Sequence, residues 1–290
     1  MNCAPGVDQP YCLKESEYAE LARAFNSWIK TPAAAWGEWT PIDPTGSAPQ
    51  IAIALMNAMK GNCSNMSCVT EAEFMYSILE EKREMMQAKF RPTGPEGNDW
   101  LDNRYIDRLL RQYEKVHPDF AFLGAVPSDC ADYKYCQLSQ VDYDRCLRKG
   151  KRQLGVVFNR DKLGESGSHW VALYLNLKRC CYYFCDSVGK PPSPEMDSFI
   201  LGFEAWCRRK GQRPTKKINK TRYQKDKTEC GVYSCYFIIR LLAGDDFEQI
   251  VGDKPDYDVI NSCRRHYRGE VGEVHPSCDP DLFNLSGAGV

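Results

Sequence analysis

The stretch Gln224-Lys-Asp-Lys-Thr-Glu-Cys230-Gly-Val-Tyr-Ser-Cys-Tyr-Phe-Ile-Ile-Arg-Leu-Leu242 decides the fold. From Cys230 onward it is apolar almost all round, which predicts a buried helix over 230–242, stopped by Gly244. A thiol at the first position of a helix sits beside unpaired backbone N–H groups and the positive end of the helix dipole, where a thiolate is favoured. Gly231 has no side chain, so another segment can come close there. Gln224 brings an amide that can donate to an oxyanion, with the backbone N–H of Cys230 as a second donor.

Upstream, two further residues supply what such a thiol needs. His169 lies in Ser-Gly-Ser-His-Trp, at the start of an apolar, β-branched run. It is the candidate base that takes the thiol proton and returns it to a leaving amine. Asp186 closes the run Tyr-Phe-Cys-Asp-Ser and is the candidate orienter that holds the imidazole in one tautomer. Taken singly, each has a plain structural reading: a buried cysteine is usually a small hydrophobe, and Asp-Ser after a strand is a common turn. The agreement of residue type, order and local context at four positions points to acyl-transfer chemistry.

The rest of the chain divides by pattern. Helical periodicity covers 18–29, 50–59 and 70–90, the last opened by a Thr70/Glu73 capping-box pattern, with a proline- and glycine-rich loop over 32–49. Arg91-Pro-Thr-Gly-Pro-Glu-Gly-Asn-Asp99 cannot continue a helix and reads as a linker. A helix over 102–116 follows, then an apolar segment over 120–126 and a helix capped by Ser139 that ends near Gly150. Strands are expected over 154–158, 170–177, 180–185 and 217–219, with a helix after Ser193-Pro194. The expected organisation is a helical arm over 1–90, a linker over 91–99, a catalytic core over 100–252 and a C-terminal extension over 253–290. The fold class is α+β: a small mixed sheet packed on the buried helix that carries the nucleophile. The last twenty residues read as loosely ordered, and their Leu285-Ser-Gly-Ala-Gly289 superficially looks like a cleavage sequence.

Composition narrows the function classes. At 43% hydrophobic, the 290 residues can build a packed core. No apolar run is long enough for a bilayer, and Met1-Asn2-Cys3-Ala4-Pro5 lacks the basic and apolar regions of a secretory signal. The expectation is a cytoplasmic protein with no membrane partner. In that compartment the fifteen cysteines are expected to be thiols, and Cys63/Cys68 and Cys130/Cys136 are loosely spaced for zinc. No metal or cofactor is called for. A net charge of −1 gives no global field for nucleic acid. Locally, the basic loop over 208–227 holds ten Lys or Arg and one acid, Asp226, which would suit an acidic partner or nucleic acid.

The set His169-Trp170, Asp186, Gln224 and Cys230-Gly231-Val232-Tyr233 resembles the Ulp1-like, adenain-type cysteine peptidases. These run histidine, aspartate, glutamine, cysteine, whereas papain-type enzymes place the cysteine first. Trp100-Leu101-Asp102-Asn103 is similar to a further motif of that family, which opens a helix. The resemblance covers 98–252 and implies catalytic His169, Asp186, Gln224 and Cys230. It also implies that Trp100 and Trp170 flank a narrow channel for a Gly-Gly backbone. A helical arm before such a core, and the phrase Phe122-Leu-Gly-Ala-Val-Pro127, look like the proteases of large cytoplasmic DNA viruses, the asfarvirus type. The implied activity is endopeptidase cleavage after Gly-Gly-X sites in viral structural polyprotein precursors during virion maturation, in the host cytoplasm or the virion. Three alternatives stay open: a SUMO or ubiquitin-like isopeptidase, an acetyl-transferring effector, and a binding module with a dead site.

Overall fold

A computed structural model describes residues 3–7, 11–35, 37–94, 97, 99–270 and 273–281. The chain forms two compact units: Met1–Thr93 with Arg265–Gly272, and Gly94–Arg264 with Glu273–Val290. Part of the expected linker and most of the expected tail, including Leu285-Ser-Gly-Ala-Gly289, lie outside the described residues. Among the described residues, no helix is long and apolar enough to cross a membrane.

The first unit is helical and has its own core. Helix α1 (Glu15–Trp28) buries Tyr18, Leu21, Phe25 and Trp28 along one face, and α2 (Ala48–Ala58) adds Ile51 and Leu55. Phe25 meets Phe74 and Trp39 edge-on, at 5.6 and 5.8 Å between ring centroids. The single helix expected over 70–90 is three pieces: α3 (Met66–Glu71), a 3₁₀ turn (Glu73–Ser77) and α4 (Glu80–Gln87). Extended backbone at Ala72 and Ile78 breaks it. The cap of α3 is Asn65, whose side chain accepts from Cys68 N, while Thr70 Oγ1 donates to the carbonyl of Ser67. Phe74 and Met75, in the 3₁₀ turn between the two breaks, are both buried.

The second unit is built on one mixed sheet. After α5 (Asn103–Val116) come β1 (Phe120–Pro127), α6 (Tyr143–Arg148), β2 (Gln153–Asn159), β3 (Trp170–Asn176) and β4 (Cys181–Cys185). Then follow α7 (Pro194–Arg209), β5 (Thr215–Ile218), α8 (Cys230–Leu242), α9 (Phe247–Asp253) and α10 (Tyr257–Tyr267), whose residues from Arg265 on belong to the first unit. Strand order is β1-β2-β3-β4-β5, with β1/β2 and β4/β5 parallel and the two inner pairs antiparallel. The helix expected to be capped by Ser139 starts later. Asp142 caps α6 through Arg145 N, and Ser139 Oγ donates to the carbonyl of Cys136.

Period-two alternation divides the sheet between two helices. Leu154, Val156, Phe158, Val171, Leu173 and Leu175 face α7 and join Met196, Phe199 and Phe203 in one cluster. The opposite face carries Gly155, Val157, Ala172 and Cys185 beside the larger Tyr174 and Tyr183. A Cβ at Gly155 would lie 3.0 Å from the Phe120 ring and 3.5 Å from Ile238 of α8, so glycine there lets α8 settle onto the sheet. All thirteen residues of α8 are buried, as its all-round apolarity predicts.

The cysteines depart from the sequence expectation. Four pairs are disulfide-bonded: Cys3–Cys12, Cys63–Cys68, Cys130–Cys136 and Cys263–Cys278. Local turns bring each pair's Cα atoms to 4.9–5.6 Å, within bridging range. The remaining seven, Cys230 among them, are thiols.

Candidate active site

The sheet register gathers the site at one edge. Asn159 at the end of β2 pairs with Trp170 at the start of β3, and Ala172 pairs with Cys185 at the end of β4. His169, Asp186 and Arg160 therefore emerge together from three adjacent strands. Cys230 is the first residue of α8, behind an N-cap Glu229.

His169 Nε2 lies 2.7 Å from Asp186 Oδ1. A carboxylate only accepts, so Nε2 carries a hydrogen, and the neutral ring presents its Nδ1 lone pair for the bond to the Cys230 thiol. Burial pulls the imidazole towards its neutral form. The Asp186 hydrogen bond and the Cys230 sulfur outweigh that and raise its pKa to about 9. Asp186 is fully buried, which disfavours its charge, yet its bond to His169, the Val188 N–H and the Arg160 guanidinium hold its pKa below the usual range. Oδ1 also accepts from Val188 N at 2.8 Å, Oδ2 accepts from Arg160 Nε and Nη2 at 3.0 and 2.6 Å, and the main-chain oxygen accepts from Asn219 Nδ2 at 2.7 Å.

Gln224 is buried, despite its place in a basic stretch. Its Nε2 donates to the Asp226 carbonyl at 2.5 Å, and its Oε1 accepts from Ser187 Oγ. A carbonyl cannot donate, so the amide orientation is fixed, and Nε2 keeps one hydrogen for another acceptor. The backbone N–H groups of Tyr223 and Gln224 both reach the carbonyl of Ser187, at 3.0 and 3.1 Å. The dipeptide Asp186-Ser187 thus anchors the imidazole through one side chain and the amide through the other.

Trp100 and Trp170 line one cleft of about 390 Å³, with Asp102, Val126, Leu163 and Gly167. Trp170 is buried, with its indole N–H on the carbonyl of Leu101 at 2.8 Å, whereas Trp100 is 39% exposed. Asp102 caps α5 through Tyr105 N, and Leu101 packs on Gly231. Trp170, Leu101 and Asp102 thus each make a structural contact of their own.

The basic stretch over 208–227 is not one loop. It takes in the end of α7, the edge strand β5 and the turn before α8. Arg208, Lys210 and Lys217 are in ion pairs with Glu204, with Asp144, and with Asp246 and Glu248 respectively. Among the described residues there is no group of three side chains arranged to hold a metal.

Sequence reading missed Arg160, Ser187 and Asn219. For Arg160 the only signal is register: pairing Asn159 with Trp170 places residue 160 opposite 169, and Arg160 N donates to the His169 carbonyl at 2.9 Å.

A thiol at a helix start, an imidazole bonded to it and a buried carboxylate behind the imidazole make a site suited to thiol-dependent acyl hydrolysis. Known proteins agree. Residues 156–265 match the Ulp1 protease family, C-terminal catalytic domain. A protein of Acanthamoeba polyphaga mimivirus named as a thiol protease is 34% identical, across 93% of this chain and 93% of its own. A SUMO-1 cysteine protease of African swine fever virus is 24% identical over 70% of this chain and 82% of its own. The crystal structure of the African swine fever virus pS273R protease shares the fold, with a TM-score of 0.63 at 16% identity over 95% of this chain and 96% of that one. The chain belongs to the Ulp1 protease family and is a cysteine peptidase.

Proposed function

We propose that this peptidase cleaves after Gly-Gly-X-type sites in linear segments of structural polyprotein precursors, with His169, Asp186, Gln224 and Cys230 as its catalytic residues. The observation that carries the specificity is the cleft walled by Trp100 and Trp170, one residue from Leu101 and His169 respectively. Two flat indoles on one cleft favour a glycine backbone, which has no side chain to place between them.

In the reaction, the Cys230 proton rests on His169, whose raised pKa favours it there, and the sulfur attacks the scissile carbonyl carbon. The oxyanion accepts from the Cys230 backbone N–H and from the remaining Gln224 Nε2 hydrogen. The imidazolium, held by Asp186, gives its proton to the leaving amine as the carbon–nitrogen bond breaks. Water, deprotonated by His169, then hydrolyses the thioester and frees the thiol.

A second reading, an isopeptidase acting on a SUMO-like protein, draws on the printed name of the African swine fever virus relatives. In that reading the basic residues over 208–227 contact an acidic partner. Cleavage of short Gly-Gly-X peptides and of folded SUMO and ubiquitin fusions, with Cys230→Ala as the blank, separates the two. Peptide cleavage supports the precursor reading. Cleavage of a folded fusion alone replaces it with the isopeptidase. Turnover by Cys230→Ala removes both.

A further inference from the structure

We infer that Arg160 is a positioning residue of the catalytic site: one side chain fixes both the base His169 and its orienter Asp186, and supplies the permanent positive charge against which the site titrates. The inference rests on the catalytic roles proposed above.

Three contacts carry it. The guanidinium gives both Nε and Nη2 to Asp186 Oδ2, at 3.0 and 2.6 Å, so only Oδ1 is left to face the imidazole. The same Nη2 reaches the carbonyls of Lys190 and Pro191, at 3.2 and 2.6 Å, which closes the turn after Asp186. The backbone N–H of Arg160 holds the His169 carbonyl at 2.9 Å. Arg160 therefore fixes the carboxylate plane, the loop that follows it and the main chain of the histidine.

The charge matters as much as the geometry. The Asp186 side chain is fully buried and that of Arg160 only 18% exposed, so their interaction is poorly screened by solvent. Asp186 faces Arg160 and His169 directly. Cys185 and Tyr223 lie beside it, and Cys230 lies across the imidazole. Burial pushes the Cys185 thiol up to about 12 and the Tyr223 phenol well above its ordinary value, so both stay neutral across the working range. Arg160 is thus the fixed charge beside a titrating carboxylate, imidazole and thiol. Removing a positive charge favours the more protonated state of every neighbour. Both limbs of a bell-shaped profile must then move to higher pH.

The test compares Arg160→Gln and Arg160→Lys with wild type. The rate of Cys230 alkylation by iodoacetate, whose carboxylate pairs with the His169 imidazolium so that the rate falls again once that ring deprotonates, is read by mass spectrometry of the Cys230 peptide against pH and needs no substrate. In Arg160→Gln both limbs are expected to rise by about one pH unit or more. Arg160→Lys keeps the charge, so its limbs stay near wild type, while kcat on a Gly-Gly-X peptide falls about 10–100-fold in both variants from lost alignment. Limbs that stay put in Arg160→Gln, or that move equally in Arg160→Lys, overturn the proposal. If wild-type Cys230 alkylates like an isolated thiol, the peptidase assignment of the site fails instead. If Arg160→Gln does not fold, Arg160→Gln/Asp186→Asn decides: recovered folding supports the charge pairing, and continued unfolding makes Arg160 a structural residue only.

Discussion

Gly231, the second residue of α8, packs directly on Leu101: a Cβ built at position 231 would lie 3.1 Å from Leu101 Cβ and 3.3 Å from its Cγ and Cδ1. The contact joins the helix that opens with Cys230 to the segment that carries Trp100, and Leu101 also receives the Trp170 indole N–H. One missing methyl therefore sets the distance between the thiol and the indole-walled cleft.

Gly231→Ala should push Leu101 and α8 apart by tenths of an ångström. Overpacking of this kind costs about 1–3 kcal/mol. Thermal denaturation should show that loss, and kcat/KM on a Gly-Gly-X peptide should fall about tenfold or more. A variant with unchanged kcat/KM would mean that the spacing does not govern the reaction.

Ser187→Ala frees the Gln224 amide. Without the hydroxyl, Oε1 loses its donor, and only the Asp226 carbonyl orients the group. Gln224→Ala should lower kcat by about 10²–10³ with little change in KM. Ser187→Ala should lower it less, by about tenfold, and should add nothing in the Gln224→Ala background. Full additivity in the double variant would place the two residues on separate paths.

How much of this was legible in the sequence depends on how local each signal is. Strands β2, β3 and β4 and helix α8 were readable because alternation and all-round apolarity lie within one segment. That His169, Asp186 and Cys230 belong together was readable because each sits in its own short context, such as His169-Trp170 or Cys230-Gly231. Arg160 was not, because its meaning lies in Asp186, 26 residues away on another strand. The break of the expected 70–90 helix escaped for a different reason: Ala72 and Ile78 are not breakers, and burial of Phe74 and Met75 overrides their propensity. The buried position of Gln224 likewise comes from the carbonyl of Ser187, not from its own basic neighbours.

The His169 pKa makes stability fall with alkali. It is raised from 6.5 in the open chain to about 9 in the folded site. A raised folded value means the stabilisation is complete below about pH 6.5 and is lost as pH climbs through 9. The full effect is on the order of 3 kcal/mol. Cys230→Ala removes the sulfur's share and leaves that of Asp186. NMR titration of His169 should then give a value between the two, with a weaker loss of stability from pH 6.5 to 9. A His169 pKa at or below 6.5 in wild type would remove the basis for this linkage. Asp186 acts at the other end: its lowered pKa gives stability present above about pH 4 and lost as acid protonates it.

The cysteines offer the last test, because sequence and structure disagree on them. The sequence reading took all fifteen as thiols, on the expectation of a reducing compartment. The structure bonds eight of them in pairs separated by only 5, 6, 9 and 15 residues. Short loops gain least from cross-linking. The longest of these, Cys263–Cys278, contributes about 3 kcal/mol, and the others less. Each bond is thus expected to add a modest share of stability, whereas the proposed reaction needs Cys230 as a thiol. Alkylation of the purified chain in denaturant without reductant should add seven groups by intact mass, and fifteen after reduction. Reduction should lower Tm, with kcat retained below the new transition. Fifteen groups without reductant would restore the all-thiol reading, and fewer than seven groups together with lost activity would mean that Cys230 itself had been captured in a bond.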